Sequence, residues 1–205
     1  MMSKRVSLLA ALLAAPVLAH AAAAVVGQRA PAFTATDTAG RSVSLADFKG
    51  KTVVLEWVNP GCPYVRKHYG GGNLPATQKD ATAQGVVWLA VNSTAKDATD
   101  YQPPAALAQW MAGQKAAPNA TLMDESGKVG MAYGARTTPH MYVIDARGTL
   151  AYAGAIDSKP TANPADIAGA TNYVKQALGE LRAGKPVSQP VTRAYGCSVK
   201  YASGA

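Results

Sequence analysis

Apolar positions along this chain cluster into short runs separated by longer, weakly amphipathic stretches. Thr52–Val58 and Val86–Val91 are nearly unbroken runs of strand-forming residues, as in central strands covered on both faces. Met141–Asp145 and Thr149–Ile156 flank Ala146-Arg147-Gly148 and predict a β-hairpin. A second hairpin is expected earlier, where Phe33–Thr36 and Arg41–Ser44 enclose the turn Asp37–Gly40. Leu45–Phe48 suits one helical turn, and Thr121–Met123 a short strand.

Helical spacing marks the intervening segments. Cys62–Tyr69 predicts a helix interrupted by Gly70-Gly71-Gly72, and Leu74–Gln84 a second, weakly periodic one. Leu107, Trp110 and Met111 recur at helical spacing within Ala105–Lys115, behind Pro103 and Pro104. Val129–Tyr133 is a further short helix. For the last helix the predicted cap is Asn163, with Pro164 in the first turn and Gly184 at the end. Ile167, Ala170, Val174, Leu178 and Leu181 would form its apolar face. Parallel strands need a crossover, so the order hairpin, βαβ, helix, hairpin, helix predicts an α/β sheet with helices on both faces.

The N-terminus stands apart from this pattern. Lys4 and Arg5 precede the apolar run Val6–Leu18, and Ala19-His20-Ala21 fits a small-x-small cleavage site. This predicts a secretory signal peptide cut among Ala21–Ala24, since the run is short of the roughly 20 residues a spanning helix needs. The expected organisation is a signal at residues 1–23, one domain at 24–184 and an irregular polar tail at 185–205. A periplasmic or secreted protein with no stable membrane insertion is expected. Removing Lys4 and Arg5 lowers the formal charge from +8 to about +6. The basic residues are scattered and form no dense run, which argues against nucleic-acid binding. An oxidising compartment also permits a disulfide between the two cysteines, Cys62 and Cys197.

Candidate chemistry centres on VNPGCPYV at residues 58–65, where a buried strand meets a turn, a cysteine and a proline. A helix N-terminus carries unpaired N–H groups and partial positive charge, which favour the nucleophilic thiolate of Cys62. Pro63 suits the first helical position, and Gly61 permits a tight turn. Arg66, one helical turn on, is positioned to add positive charge. A buried structural cysteine is the competing reading.

VVLEWVNPGCPYV resembles the strand and active-site turn of the thioredoxin superfamily, and Thr137–Asp145 resembles its cis-proline segment and the strand after it. The match covers most of residues 30–183. Ala30–Asp37 and the Lys49-Gly50-Lys51 turn resemble the redoxin branch, which includes the peroxiredoxins, and GCSVKY at 196–201 is similar to a peroxiredoxin-like subgroup. The resemblance implies a thioredoxin-like fold, with a central mixed sheet, an N-terminal β-hairpin and a C-terminal tail. It also implies Cys62 as the attacking cysteine and a cis Pro139 packed beside it. Val65 stands where dithiol relatives keep a second cysteine, so ordinary Cys-x-x-Cys exchange is lost. Glu56 occupies the position of a buried proton-handling carboxylate, although an outward-facing strand residue fits the sequence equally well. Peroxiredoxins place a Thr or Ser three residues before the reactive cysteine and an arginine nearby. Here Asn59 takes the first place and Pro139 the second, leaving Asn59 to hydrogen-bond a peroxide and Arg66 or Arg136 to supply charge.

Cys197, on a flexible tail, would resolve a sulfenic acid on Cys62. The alternative is a permanent Cys62–Cys197 disulfide, contributing about 4–5 kcal/mol on the entropic view. The expected function is a thiol oxidoreductase acting on a peroxide or protein disulfide and recharged by a thiol-reducing partner, with no organic cofactor or metal. The alternatives are general thiol–disulfide exchange and, from another class, copper binding by Cys62 with His68, His140, Met131 or Met141.

Overall fold

The structure, a computed structural model, describes residues 23–202. Strands Thr34–Asp37 (β1) and Ser42–Ser44 (β2) form the first hairpin, its turn held by Asp37 Oδ1, which accepts from the Ala39 and Arg41 amides. A 3₁₀ turn at Leu45–Phe48 follows, closed by a capping box between Ser44 and Asp47. The central unit is strand Val53–Trp57 (β3), helices Pro63–Gly70 (α1) and Asn73–Ala83 (α2), then strand Val87–Asn92 (β4). Helix Pro104–Gly113 (α3), strand Ala120–Met123 (β5) and helix Lys128–Tyr133 (α4) come next. Strands Thr137–Thr138 (β6), His140–Ile144 (β7) and Leu150–Gly154 (β8) precede helix Tyr173–Arg182 (α5) and the two-residue strand Cys197–Ser198 (β9).

Seven strands form one mixed sheet in the order β2-β1-β5-β4-β3-β7-β8, and β6 pairs with β9 as a separate ribbon. β3, β4 and β5 run parallel, while β7 lies antiparallel to β3. Both faces are covered, as the unbroken apolar runs require. Val54, Val58, Trp88, Ala90, Met141 and Val143 pack with residues of α1, α2, α3 and α5. Val53, Leu55, Trp57, Leu89 and Tyr142 pack on the other face with Phe33 and with Val129 and Tyr133 of α4. Each fully buried aliphatic side chain here, Leu55 and Leu89 among them, contributes about 1.5–3 kcal/mol relative to exposure.

Two expectations need correction. Asn163 does cap a turn, accepting from Ala165 N, and Pro164 does begin it, but the turn is a 3₁₀ piece that ends at Ile167. The helix proper begins at Tyr173 behind a second cap, Asn172, whose side chain accepts from Lys175 N. Between them Tyr173 N bonds to Ile156 O at 3.0 Å and Thr171 N to Ser158 Oγ at 3.0 Å, drawing the chain back to the end of β8. Ile167 therefore packs on Gly71 at the end of α1, while Val174 and Ala177 form the buried face of α5.

The tail is largely irregular, and hydrogen bonds hold it to the body of the domain where a free tail was expected. Pro190 O accepts from Ala153 N, Thr192 N donates to Ala153 O, and Thr192 Oγ1 accepts from Ala155 N. Further on, Val199 N donates to Arg136 O, Lys200 O accepts from Ala95 N, and Tyr201 OH donates to Ala135 O. Residues 1–22 of the predicted signal peptide lie outside the described residues. No helix among the described residues is long and apolar enough to cross a membrane.

Candidate active site

β3 delivers the chain to a turn in which Cys62 N donates to Asn59 O at 3.0 Å and Gly61 N to Asn59 Oδ1 at 2.7 Å. Cys62 is the N-cap of α1 and Pro63 its first residue, so the sulfur stands at the positive end of the helix. It is nonetheless only 2% exposed. Its thiol donates to the carbonyl of Thr138 at 2.9 Å. The Thr138–Pro139 peptide is cis, and both residues are buried.

The tail lies alongside Thr138. In the β6–β9 ribbon Thr138 pairs with Cys197 and Thr137 with Ser198, so the two cysteines meet across one residue. Both are free thiols. Partial burial, together with the neighbouring Cys62 sulfur, pushes the Cys197 thiol up to about 12. Gly196 makes the approach possible. Its φ is 137°, and a Cβ there would run into the Thr138 carbonyl.

The other residues singled out from sequence divide into two groups. Asn59 reaches the site, but its amide is spent: Nδ2 donates to Thr94 Oγ1 at 3.1 Å and to Asp100 Oδ2 at 2.8 Å. It shapes the turn and holds no hydrogen free for a peroxide. Arg66 donates from Nε to Pro60 O at 2.7 Å, bracing the turn from an exposed position. Arg136 is exposed too. Val65 is fully buried in the core, in the place a second cysteine would take.

Glu56 is fully buried. Tyr69 OH donates to it at 2.7 Å, Trp88 Nε1 at 2.8 Å and Gln78 Nε2 at 2.9 Å. Desolvation raises its pKa, and these three donors pull against that rise.

Residues 26–153 match the AhpC/TSA family, more than half of the chain. The protein belongs to that family. Similar solved structures include a hypothetical protein from Sinorhizobium meliloti (24% identity, 89% of this chain and 98% of that one, TM-score 0.78). An uncharacterized conserved protein from Geobacillus kaustophilus is 27% identical over 88% of this chain and 94% of its own, with a TM-score of 0.79. A thiol:disulfide interchange protein from a Bacteroides species is 28% identical over 62% of this chain and 79% of its own, with a TM-score of 0.50. No curated protein matches the chain. The chain is thus a redoxin-branch member of the thioredoxin superfamily.

This AhpC/TSA chain also carries a buried polar cluster that the sequence did not announce. Tyr195, two residues before Cys197, donates its hydroxyl to Asp157 Oδ1 and lies 3.0 Å from His68 Nε2. Lys67 Nζ is 3.8 Å from Asp157 Oδ2, 2.9 Å from Lys159 O and 5.7 Å from the Tyr195 ring centroid. Lys67, His68 and Asp157 are all buried. Burial holds His68 down to about 4, against the pull of Asp157. His68 uses Nδ1 on Asn73 and Nε2 on Tyr195, while His140 Nδ1 meets Arg136 N and Tyr142 OH. Both nitrogens of His68 thus have protein partners, and His140 has one at Nδ1; no group of three or more His, Cys, Asp or Glu side chains that could hold a metal ion occurs among the described residues. Asp100, Asp157 and Tyr195 escaped the sequence reading because each lies in a loop or tail where no period points to it. The short segment Tyr195-Gly196-Cys197 was the one available signal, an aromatic anchor and a glycine just before a cysteine.

Proposed function

We propose that this redoxin reduces an oxidant at Cys62 and resolves the product with Cys197. One observation supports this most: Cys197 is paired opposite Thr138, the residue whose carbonyl receives the Cys62 thiol. With peroxide, the Cys62 thiolate attacks one oxygen, the O–O bond breaks, and the departing alkoxide or hydroxide takes up a proton. Cys62 is left as a sulfenic acid. Cys197 then attacks that sulfur and gives up its thiol proton, the S–O bond breaks, the departing hydroxide leaves as water with that proton, and a Cys62–Cys197 disulfide forms. A dithiol partner reduces the disulfide and is itself oxidised to one. Peroxide is favoured because a lone cysteine with a distant partner suits this sequence of steps. In this reading Asn59 and Arg66 hold the turn, Pro139 flanks the sulfur, and Glu56 is the buried carboxyl available to take or give a proton. The signal-like N-terminus supports action outside the cytoplasm.

Mass mapping of the peroxide-treated chain tests the proposal. Cys62 is expected to become sulfenic acid in Cys197→Ser and to bridge to Cys197 in the native sequence. Peroxide consumption that survives Cys62→Ser would overturn it.

A further inference from the structure

An extended chain can bring a sulfur to Cys62 in one way that this structure displays directly. The tail lies antiparallel on β6, with Cys197 opposite Thr138, and Thr138 O is the group that touches the Cys62 sulfur. β6 is a two-residue edge strand with one partner, and edge strands are where added polypeptide pairs. Here the protein's own tail has taken that place. It is fastened on both sides of the contact. Upstream, Tyr195 is sunk onto Asp157 and His68, and the Gly196 backbone lies against the Thr138 carbonyl with no room for a side chain. Downstream, Val199 N bonds to Arg136 O and Lys200 O to Ala95 N. Cys62 beneath it is almost wholly covered.

We propose that β9 determines substrate class: it reserves Cys62 for small oxidants, peroxides and low-molecular-weight disulfides, and excludes disulfides carried on folded proteins. The proposal rests on Cys62 being the attacking sulfur. A peroxide needs only a small, brief opening beside the sulfur. A protein disulfide must lay its own backbone along β6, and so must first displace β9. With a disulfide R–S–S–R′ the chemistry is exchange. The Cys62 thiolate bonds to one sulfur as R′S⁻ leaves, and Cys197 then displaces RS⁻ to close the internal disulfide. Two thiols are oxidised and one disulfide is reduced.

The test compares oxidation of the fully reduced, full-length chain by hydrogen peroxide, by oxidised glutathione and by insulin, in the native sequence and in two variants. Gly196→Val places a side chain against the Thr138 carbonyl. Val199→Pro removes the amide that bonds to Arg136 O and leaves Gly196 and Cys197 in place, so it carries the test if the first variant does not fold. The native chain is expected to react with both small oxidants and only slowly with insulin. The variants should gain about tenfold or more toward insulin, since weakening a few backbone bonds shifts an opening equilibrium by at least that factor. Their initial oxidation of Cys62 by peroxide should change less than threefold or so on the same reasoning. Native reaction with insulin as fast as that of the variants would overturn the gate while leaving Cys62 as nucleophile. If no oxidant consumed Cys62 in any form, the underlying reading would fall instead.

Discussion

Replacing Tyr195 by Phe removes one oxygen and leaves the ring. The ring keeps its edge-on contact with Tyr64, 5.8 Å between centroids, and stays under the Lys67 ammonium. What is lost is the donor to Asp157 Oδ1 and the partner of His68 Nε2. Asp157 retains the Lys159 amide at 3.0 Å and Lys67 Nζ at 3.8 Å, so the cluster survives with one strong bond fewer. A hydrogen bond to a charged group contributes about 1.5–3 kcal/mol. Taking about 2 kcal/mol, the equilibrium for lifting residues 195–201 off the body moves by about 30-fold. Native-state hydrogen exchange measures that opening directly. The Val199 amide, bonded to Arg136 O, should exchange about 30-fold faster in Tyr195→Phe. Amides of β4, the middle strand of the seven, such as those of Leu89 and Val91, should keep their protection. Unchanged protection at Val199 would refute Tyr195 as the anchor, and an equal loss in β4 would refute the tail as a separately opening unit.

Other outcomes follow from the same geometry. Thr138 Oγ1 is buried without a hydrogen-bond partner, so Thr138→Val, nearly the same shape, should leave stability unchanged or raise it by about 1 kcal/mol; a urea midpoint that drops would refute this. Glu56→Leu strands three buried donors and should cost several times more than Glu56→Gln, which retains one acceptor oxygen, on the order of 3 kcal/mol or above. Because burial raises the folded-state pKa of Glu56, its carboxyl stabilises most in acid, and the advantage of the native chain over Glu56→Gln should shrink as pH rises above the ordinary carboxyl range. The sign is opposite for His140, which burial and Arg136 hold down to about 4. Between about 6.5 and 4 the unfolded imidazole binds a proton that the folded one refuses, so acidification costs up to about 1.4 kcal/mol per pH unit. Denaturation series at several pH values should show a shallower acid loss in His140→Gln; identical slopes would refute the assignment.

The sheet was legible because its strands obey simple rules. β3 and β4 are apolar without alternation, as two covered faces require, and Cys62-Pro63 after a turn marks a helix start. That same lack of alternation hid Glu56. In a strand buried on both sides, neither direction is outward, and only the positions of Tyr69, Gln78 and Trp88 reveal the pocket that accepts a carboxylate. The break before α5 was obscured by a genuine cap at Asn163, since a cap reports that a turn begins and not how far it runs. The tail was the largest gap. Its hydrogen bonds go to Ala95, Ala135, Arg136 and Ala153, partners far off in sequence, and no local pattern encodes such contacts.

The late position of the tail has a consequence during biosynthesis. All seven strands of the main sheet precede residue 155, whereas Tyr195–Tyr201 follows them in the chain and is translated after them. Domains begin to fold from the N-terminal side as they emerge. The nascent chain can therefore assemble the pocket around Cys62 before its cover exists, and for that interval the sulfur is open to exchange with passing disulfides.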